Sequence, residues 1–141
     1  MRQYLYMLIA AIIIMSHEIA MASEWKYITS DETREYYYDT SSIDKISNFS
    51  LSVSIKEVLL DHHQAGIKAI VLLQEINCYH SMYRNKKITT YYDDKNSTIF
   101  EVNLGDTEWY DIEFNTVGYD IVTQICSESK TVKSYLEKKS K

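Results

Sequence analysis

The chain of 141 residues contains no proline, three glycines and two cysteines. With so little proline and glycine there is no low-complexity linker to divide it. No internal repeat or composition break appears between residues 23 and 129, so one domain is expected there. No glycine-rich phosphate loop, HExxH, CxxC or Ser-His-Asp order is present, which removes the chemistries that those motifs carry. An apolar run of bilayer length is also missing. The run from Tyr4 to Met15 has 12 residues, where about 17 to 25 are needed to cross.

What is there begins with that run. Arg2 supplies a positive start, Ser16, His17 and Glu18 stop the apolar stretch, and Ala20, Met21 and Ala22 form a small-x-small site. This is the pattern of an export signal at residues 1–22, cut after Ala22 to leave a mature chain starting at Ser23. Neither cysteine lies at the cut, so lipid attachment there is excluded and no stable membrane anchor is expected after cleavage. Export also decides how Cys78 and Cys126 are read. In an oxidising compartment an even pair in a small domain is a disulfide. Closing that loop contributes up to about 4 kcal/mol, against a typical domain stability of roughly 5 to 15 kcal/mol.

Removing Arg2 and Glu18 with the signal leaves 14 basic and 19 acidic residues, a net charge still of −5. Five lysines crowd residues 130–141, read as a basic C-terminal tail, so the body is more acidic than the total. An acidic body repels polyphosphate, and nucleic-acid binding is not expected. Thirteen tyrosines favour a β-rich domain.

The strand signals are distributed along residues 25–102. Trp25 to Thr29 and Arg34 to Tyr38 read as short strands, separated from the next by the polar turn Asp39 to Ser42. Phe49, Leu51, Val53 and Ile55 place four apolar side chains on one face, with Ser50, Ser52, Ser54 and Lys56 on the other. The apolar phase then slips to Val58 and Leu60, which predicts a bulge near Lys56 or Glu57. Ile67 to Cys78 reads as a buried strand, and Tyr79 to Tyr92 as sheet broken by a turn at Asn85, Lys86 and Lys87. Thr98 to Val102 follows as another strand. From Asn115 the period becomes helical. Phe114, Val117, Ile121 and Ile125 form one stripe, Thr116 or Asn115 caps it, and Cys126 closes it. The expected class is α+β, an antiparallel sheet with one C-terminal helix packed on one face and tethered through Cys78–Cys126.

The order and spacing of several residues resemble the surface-adhesin protein E-like family of small exported bacterial proteins. They are Trp25, the YYDxxSI pattern of Tyr37, Tyr38, Asp39, Ser42 and Ile43, then Lys56, Glu75 to Cys78, Arg84, Tyr91 and Tyr92, Trp109 with Ile112, and Cys126. The resemblance runs from about Trp25 to Cys126. It implies a sheet of about six antiparallel strands, one helix and a cysteine pair joining them. It further implies an adhesin-like role, since the namesake is a lipid-anchored adhesin for host extracellular-matrix and serum proteins. Two departures stand out. The proline usual before the final helix is replaced by Asn115 and Thr116, and the lipid-anchor cysteine is absent.

The best metal-ligand candidates are His62 and His63 beside Asp61, with Glu57 four residues earlier. Adjacent histidines on extended backbone point apart, so a shared centre would need ligands from elsewhere. His80 reads as a sheet-face residue, and Asp93 with Asp94 as a solvated turn. No cofactor and no metal are implied, and a non-enzymatic role is expected. A binding module for another protein, at the periplasm or cell surface or secreted, is the first functional reading, with a homodimer contact as the competing use of the same surface. The second is a small exported hydrolase or metal-dependent enzyme with its site near His62 and His63. For the first, the contact would use a sheet edge or the sheet face away from the helix, with Tyr and Trp side chains as anchors and the tyrosines drawn from Tyr36, Tyr37, Tyr38, Tyr91 and Tyr92. N-terminal sequencing of the exported protein is expected to start at Ser23; a chain retaining Met1 would contradict the signal assignment.

Overall fold

The computed structural model describes residues 23–60, 66–92 and 99–129. Eight strands and one α-helix follow in order: β1 (Trp25–Ser30), β2 (Arg34–Asp39), β3 (Asp44–Lys45), β4 (Ser50–Leu59), β5 (Ile67–Asn77), β6 (Met82–Tyr92), β7 (Ile99–Asn103), β8 (Tyr110–Asp111) and α1 (Val117–Glu128). All pair antiparallel in one sheet of order β1-β2-β4-β5-β6-β7, with β3 beside β4 and β8 beside β6. The count is eight rather than about six because two two-residue strands lie off that six-strand path.

Alternation builds the core. Leu51, Val53 and Ile55 of β4 are buried with Tyr36 and Tyr38 of β2, Ile76 of β5, and Ile121, Val122 and Ile125 of the helix. Burying one fully apolar side chain of this size contributes roughly 1.5 to 3 kcal/mol, so this sandwich of one helix on one sheet face is the main cohesive element. The helix starts where its cap dictates. Thr116 has extended backbone, its Oγ1 accepts from the Tyr119 amide at 3.2 Å, and Asp120 lies in the first turn. The Cys78–Cys126 disulfide ties the end of β5 to the last turn, with 5.7 Å between the Cα atoms. A second tie is electrostatic. Lys26 donates to Glu128 at 2.7 and 2.8 Å, and the buried Tyr38 hydroxyl donates to the same carboxylate. The Lys26 hydrogen bond first, and the Tyr38 one second, hold the Glu128 carboxyl below its ordinary range.

Several expectations are corrected. The polar Asn85-Lys86-Lys87 stretch is no turn. β6 runs through it, and Lys86 is the extra residue of a bulge where Leu73 pairs Lys87 but Gln74 pairs Asn85. The chain instead reverses between Asn77 and Met82, where Ser81 adopts φ 52°, so His80 sits exposed in that turn rather than on a sheet face. No bulge occurs at Lys56 or Glu57, since β4 keeps unbroken register with both neighbours. Its apparent phase slip has a chemical cause. Glu57 occupies a position on the helix-side face and is neutralised there by Arg34 at 2.5 Å, so a charge stands where an apolar residue was expected. Phe114 is 70% exposed and outside the buried stripe, and the helix continues to Glu128, two residues past Cys126.

Truncating Ile125, which is 0% exposed, to alanine should cost about 2 to 5 kcal/mol in urea unfolding. Phe114→Ala should stay within about 0.5 kcal/mol, and breaking the disulfide should cost up to about 4 kcal/mol.

Candidate functional site

Because α1 covers one face, the other is left to side chains alone, and the register shows which they are. Directly paired residues share a face, so Tyr27, Tyr37, Lys56, Val71, Thr89 and Glu101 form one row across β1, β2, β4, β5, β6 and β7. Ser54, Leu73, Lys87 and Asn103 form the row on one side of it, and Glu35, Val58, Ala69, Tyr91 and Ile99 the row on the other. The Lys86 bulge matters here. Without an extra residue, Lys87 and Arg84 would alternate to opposite faces; with it, both share the free face, Arg84 opposite Glu75.

A trough of about 320 Å³ crosses this face, with Val71 and Leu73 as apolar floor, Trp25 toward β1, and Tyr91 and Ile99 toward β7. Its polar lining is Ser23, Asp39, Ser54, Thr89, Lys87 and Glu101. Lys87 and Glu101 pair at 2.7 Å. Arg84 pairs with Glu75 at 2.5 Å and lies over the Trp109 ring at 4.8 Å. Asp39 is buried, which taken alone would raise its pKa; hydrogen bonds from the Ser41 side chain and from the amides of Glu24 and Ser41 outweigh this and hold it below the usual carboxylate range. Lys56 lies between two rings, 4.4 Å from the Trp25 centroid and 5.1 Å from that of Tyr37. Burial pushes its ammonium down, partly offset by Asp39.

The five predicted tyrosines divide. Tyr36 and Tyr38 are 8% and 1% exposed and belong to the core, so they cannot serve as outward anchors. Tyr37 and Tyr91 lie on the free face, half-buried, while Tyr92, the next residue of β6, takes the opposite side. Asp61, His62, His63, Asp93 and Asp94 lie outside the described residues. Glu57 is engaged by Arg34. Among the described residues, no group of three or more His, Cys, Asp or Glu side chains is placed to hold a metal ion, and no helix is long and apolar enough to cross a membrane. Reading tyrosines alone missed Trp25, Asp39, Lys56, Arg84 and Trp109. Their signal was present, because all five belong to the pattern that carries the family resemblance.

A second crevice of about 320 Å³ lies on the helix side, lined by Tyr36, Ile55, Glu57, Leu72, Gln74 and Tyr83 with the first turns of α1. Several of its polar groups are already engaged, and the Tyr36 hydroxyl donates to Asp31 at 2.8 Å. Gln74 donates to Asn85 at 2.8 Å, and Glu57 holds Arg34.

In comparison with known proteins, the family model for surface-adhesin protein E matches residues 25–127. No curated protein and no solved structure matched the chain.

The Asp39 knot sets the groove rim and yields a pH prediction. Its folded pKa is depressed, so its contribution is present above the unfolded value of about 3.9 and is lost as pH falls through the folded pKa. Asp39→Asn should lower stability by on the order of 1 kcal/mol near neutrality, and the gap to the parent should close in acid. Urea unfolding of both proteins from pH 2 to 7 measures it; a gap independent of pH would contradict the assignment.

Proposed function

The chain belongs to the surface-adhesin protein E family, and from that premise we propose that it is an exported, non-catalytic binding module whose partner is another protein. In this reading residues 1–22 are removed on export and the domain acts at the cell surface or in the periplasm. The contact surface is the helix-free sheet face. The observation that carries this is the trough from Trp25 to Ile99, a mixed surface of aromatic, apolar and paired charged residues on the one sheet face that no element of the described fold covers. Protein interfaces favour this composition. Aromatic and Arg side chains anchor them, and charges at their rims set specificity more than affinity. The helix-side crevice is less suited, because Gln74, Glu57 and Tyr36 are already engaged and the walls formed by Tyr36, Ile55, Ile121 and Val122 belong to the core.

The family resemblance supplies the first partners to try, extracellular-matrix and serum proteins. The domain from Ser23 onward, with its disulfide intact, should bind at least one member of an immobilised panel of such proteins. Tyr37→Ser and Tyr91→Ser should each weaken that binding about tenfold, the effect of losing roughly 1.4 kcal/mol at a contact anchor. Phe114→Ser, an exposed aromatic at the helix start, should leave it unchanged. Normal binding by both free-face variants, at unchanged melting temperature, would overturn the proposal.

A further inference from the structure

The free face carries three cations whose positions the register and ring contacts define, and two are already neutralised. Lys87 holds Glu101 at 2.7 Å and Arg84 holds Glu75 at 2.5 Å. Lys56 differs. Among the described residues it makes no ion pair; its near neighbours are the rings of Trp25 and Tyr37. Across the strands it faces Tyr37 on one side and Val71 on the other. The carboxylates around it are committed elsewhere. Asp39 accepts from the Glu24 and Ser41 amides and the Ser41 hydroxyl, and Glu35 accepts from the Tyr37 hydroxyl at 2.7 Å.

An ammonium set among apolar and aromatic groups, with no carboxylate in contact, is an unusual use of a sheet-face position. Rings stabilise a cation through their quadrupoles but supply no hydrogen-bond acceptor in the plane of its N–H groups. Three N–H donors remain to be met by water or by an incoming group. Burial pushes the lysine toward its neutral form, and Asp39 opposes that shift. A ligand anion that displaced the water would meet a partly desolvated charge, where a charge-assisted hydrogen bond is stronger than on an open surface.

On the reading that the free face is the binding surface, we propose that Lys56 is its anion-binding point, and that the group it takes is an Asp or Glu side chain of a partner polypeptide. That carboxylate would be flanked by apolar side chains that seat over Val71, Leu73 and the Trp25 ring. Charge complementarity selects this partner. Arg84 and Lys87 each already hold a carboxylate, so among these three cations Lys56 is the one whose donors are open to an incoming carboxylate, whereas an added positive charge would find Asp39 and Glu35 already accepting from neighbouring donors.

The test is a display selection of random nine-residue peptides on the disulfide-intact domain, on Lys56→Met, on Lys56→Arg and on the double variant Tyr37→Ser/Tyr91→Ser. Melting temperatures check that each is folded. Peptides enriched on the parent are expected to carry a central Asp or Glu. Synthetic versions should bind about tenfold better than their Asn or Gln counterparts. Lys56→Met should remove that preference and Lys56→Arg should keep it. Peptides that need Tyr37 and Tyr91 yet show no acidic preference would overturn the role of Lys56 and leave the binding face standing. Enriched peptides indifferent to Tyr37 and Tyr91 as well as to Lys56, or no enrichment on any protein, would overturn both.

Discussion

One helix with one apolar stripe can cover one face of a sheet, and the rest of this structure follows from that limit. Ile121, Val122 and Ile125 meet Leu51, Val53, Ile55, Ile76, Tyr36 and Tyr38, and together these are the buried cluster. The disulfide and the Lys26–Glu128–Tyr38 contacts fix the helix at its C-terminal end, beside the buried Ile125. No second α-helix is present among the described residues to cover the opposite face, which is left to meet water. An antiparallel sheet can do this when that face is polar. This one is only partly so.

The free face is more elaborate than solvation requires. Serines and lysines alone would keep it wet, as Ser52 and Ser54 do. Instead Trp25, Tyr37, Tyr91 and Trp109 are set among charged partners, and three bulges tune the geometry. One, at Ile28, interrupts the pairing of β1 with β2, one, at Lys68, interrupts that of β5 with β6, and the third, at Lys86, brings Lys87 and Arg84 to the same side. Exposed ion pairs contribute little to stability, typically 0 to 1 kcal/mol. Lys87–Glu101 is such a pair, whereas Arg84 and Glu75 are part-buried. The same reasoning separates the two crevices. On the helix side Gln74 pairs with Asn85 and Glu57 with Arg34; on the free side Lys56 has two rings and, among the described residues, no counter-ion.

Much of the fold was legible in the sequence because period is a local signal. Leu51, Val53 and Ile55 alternate cleanly, the helical spacing of Val117, Ile121 and Ile125 is regular, and the two cysteines had one pairing open to them. The misreadings have non-local causes. Glu57 looked like the end of an apolar phase because its neutralising partner, Arg34, is 23 residues away. Asn85-Lys86-Lys87 has the composition of a turn, but Lys86 reaches Asp106 and its carbonyl takes the Leu104 amide, both contacts made by a later segment. In YYY the outer two tyrosines are buried in the core and the middle one lies half-buried on the helix-free face, an assignment set by the register of β2 against β4 and invisible in composition. The aromatic and charged residues of the free face were visible through the family pattern. That they share one face became visible with the pairing.

The central claim is that the helix-free face makes the contact, and side-chain footprinting of the domain free and bound to a captured matrix or serum protein addresses it most directly. Hydroxyl-radical labelling reports the solvent exposure of each aromatic side chain in one experiment, with no substitution to disturb the fold. The account predicts that labelling of Trp25, Tyr37, Tyr91 and Ile99 falls on binding while Phe114 and Tyr119, at the start of the helix, label as before. Loss of labelling at Phe114 and Tyr119 with Trp25, Tyr37 and Tyr91 unchanged would place the contact on the helix side and contradict it.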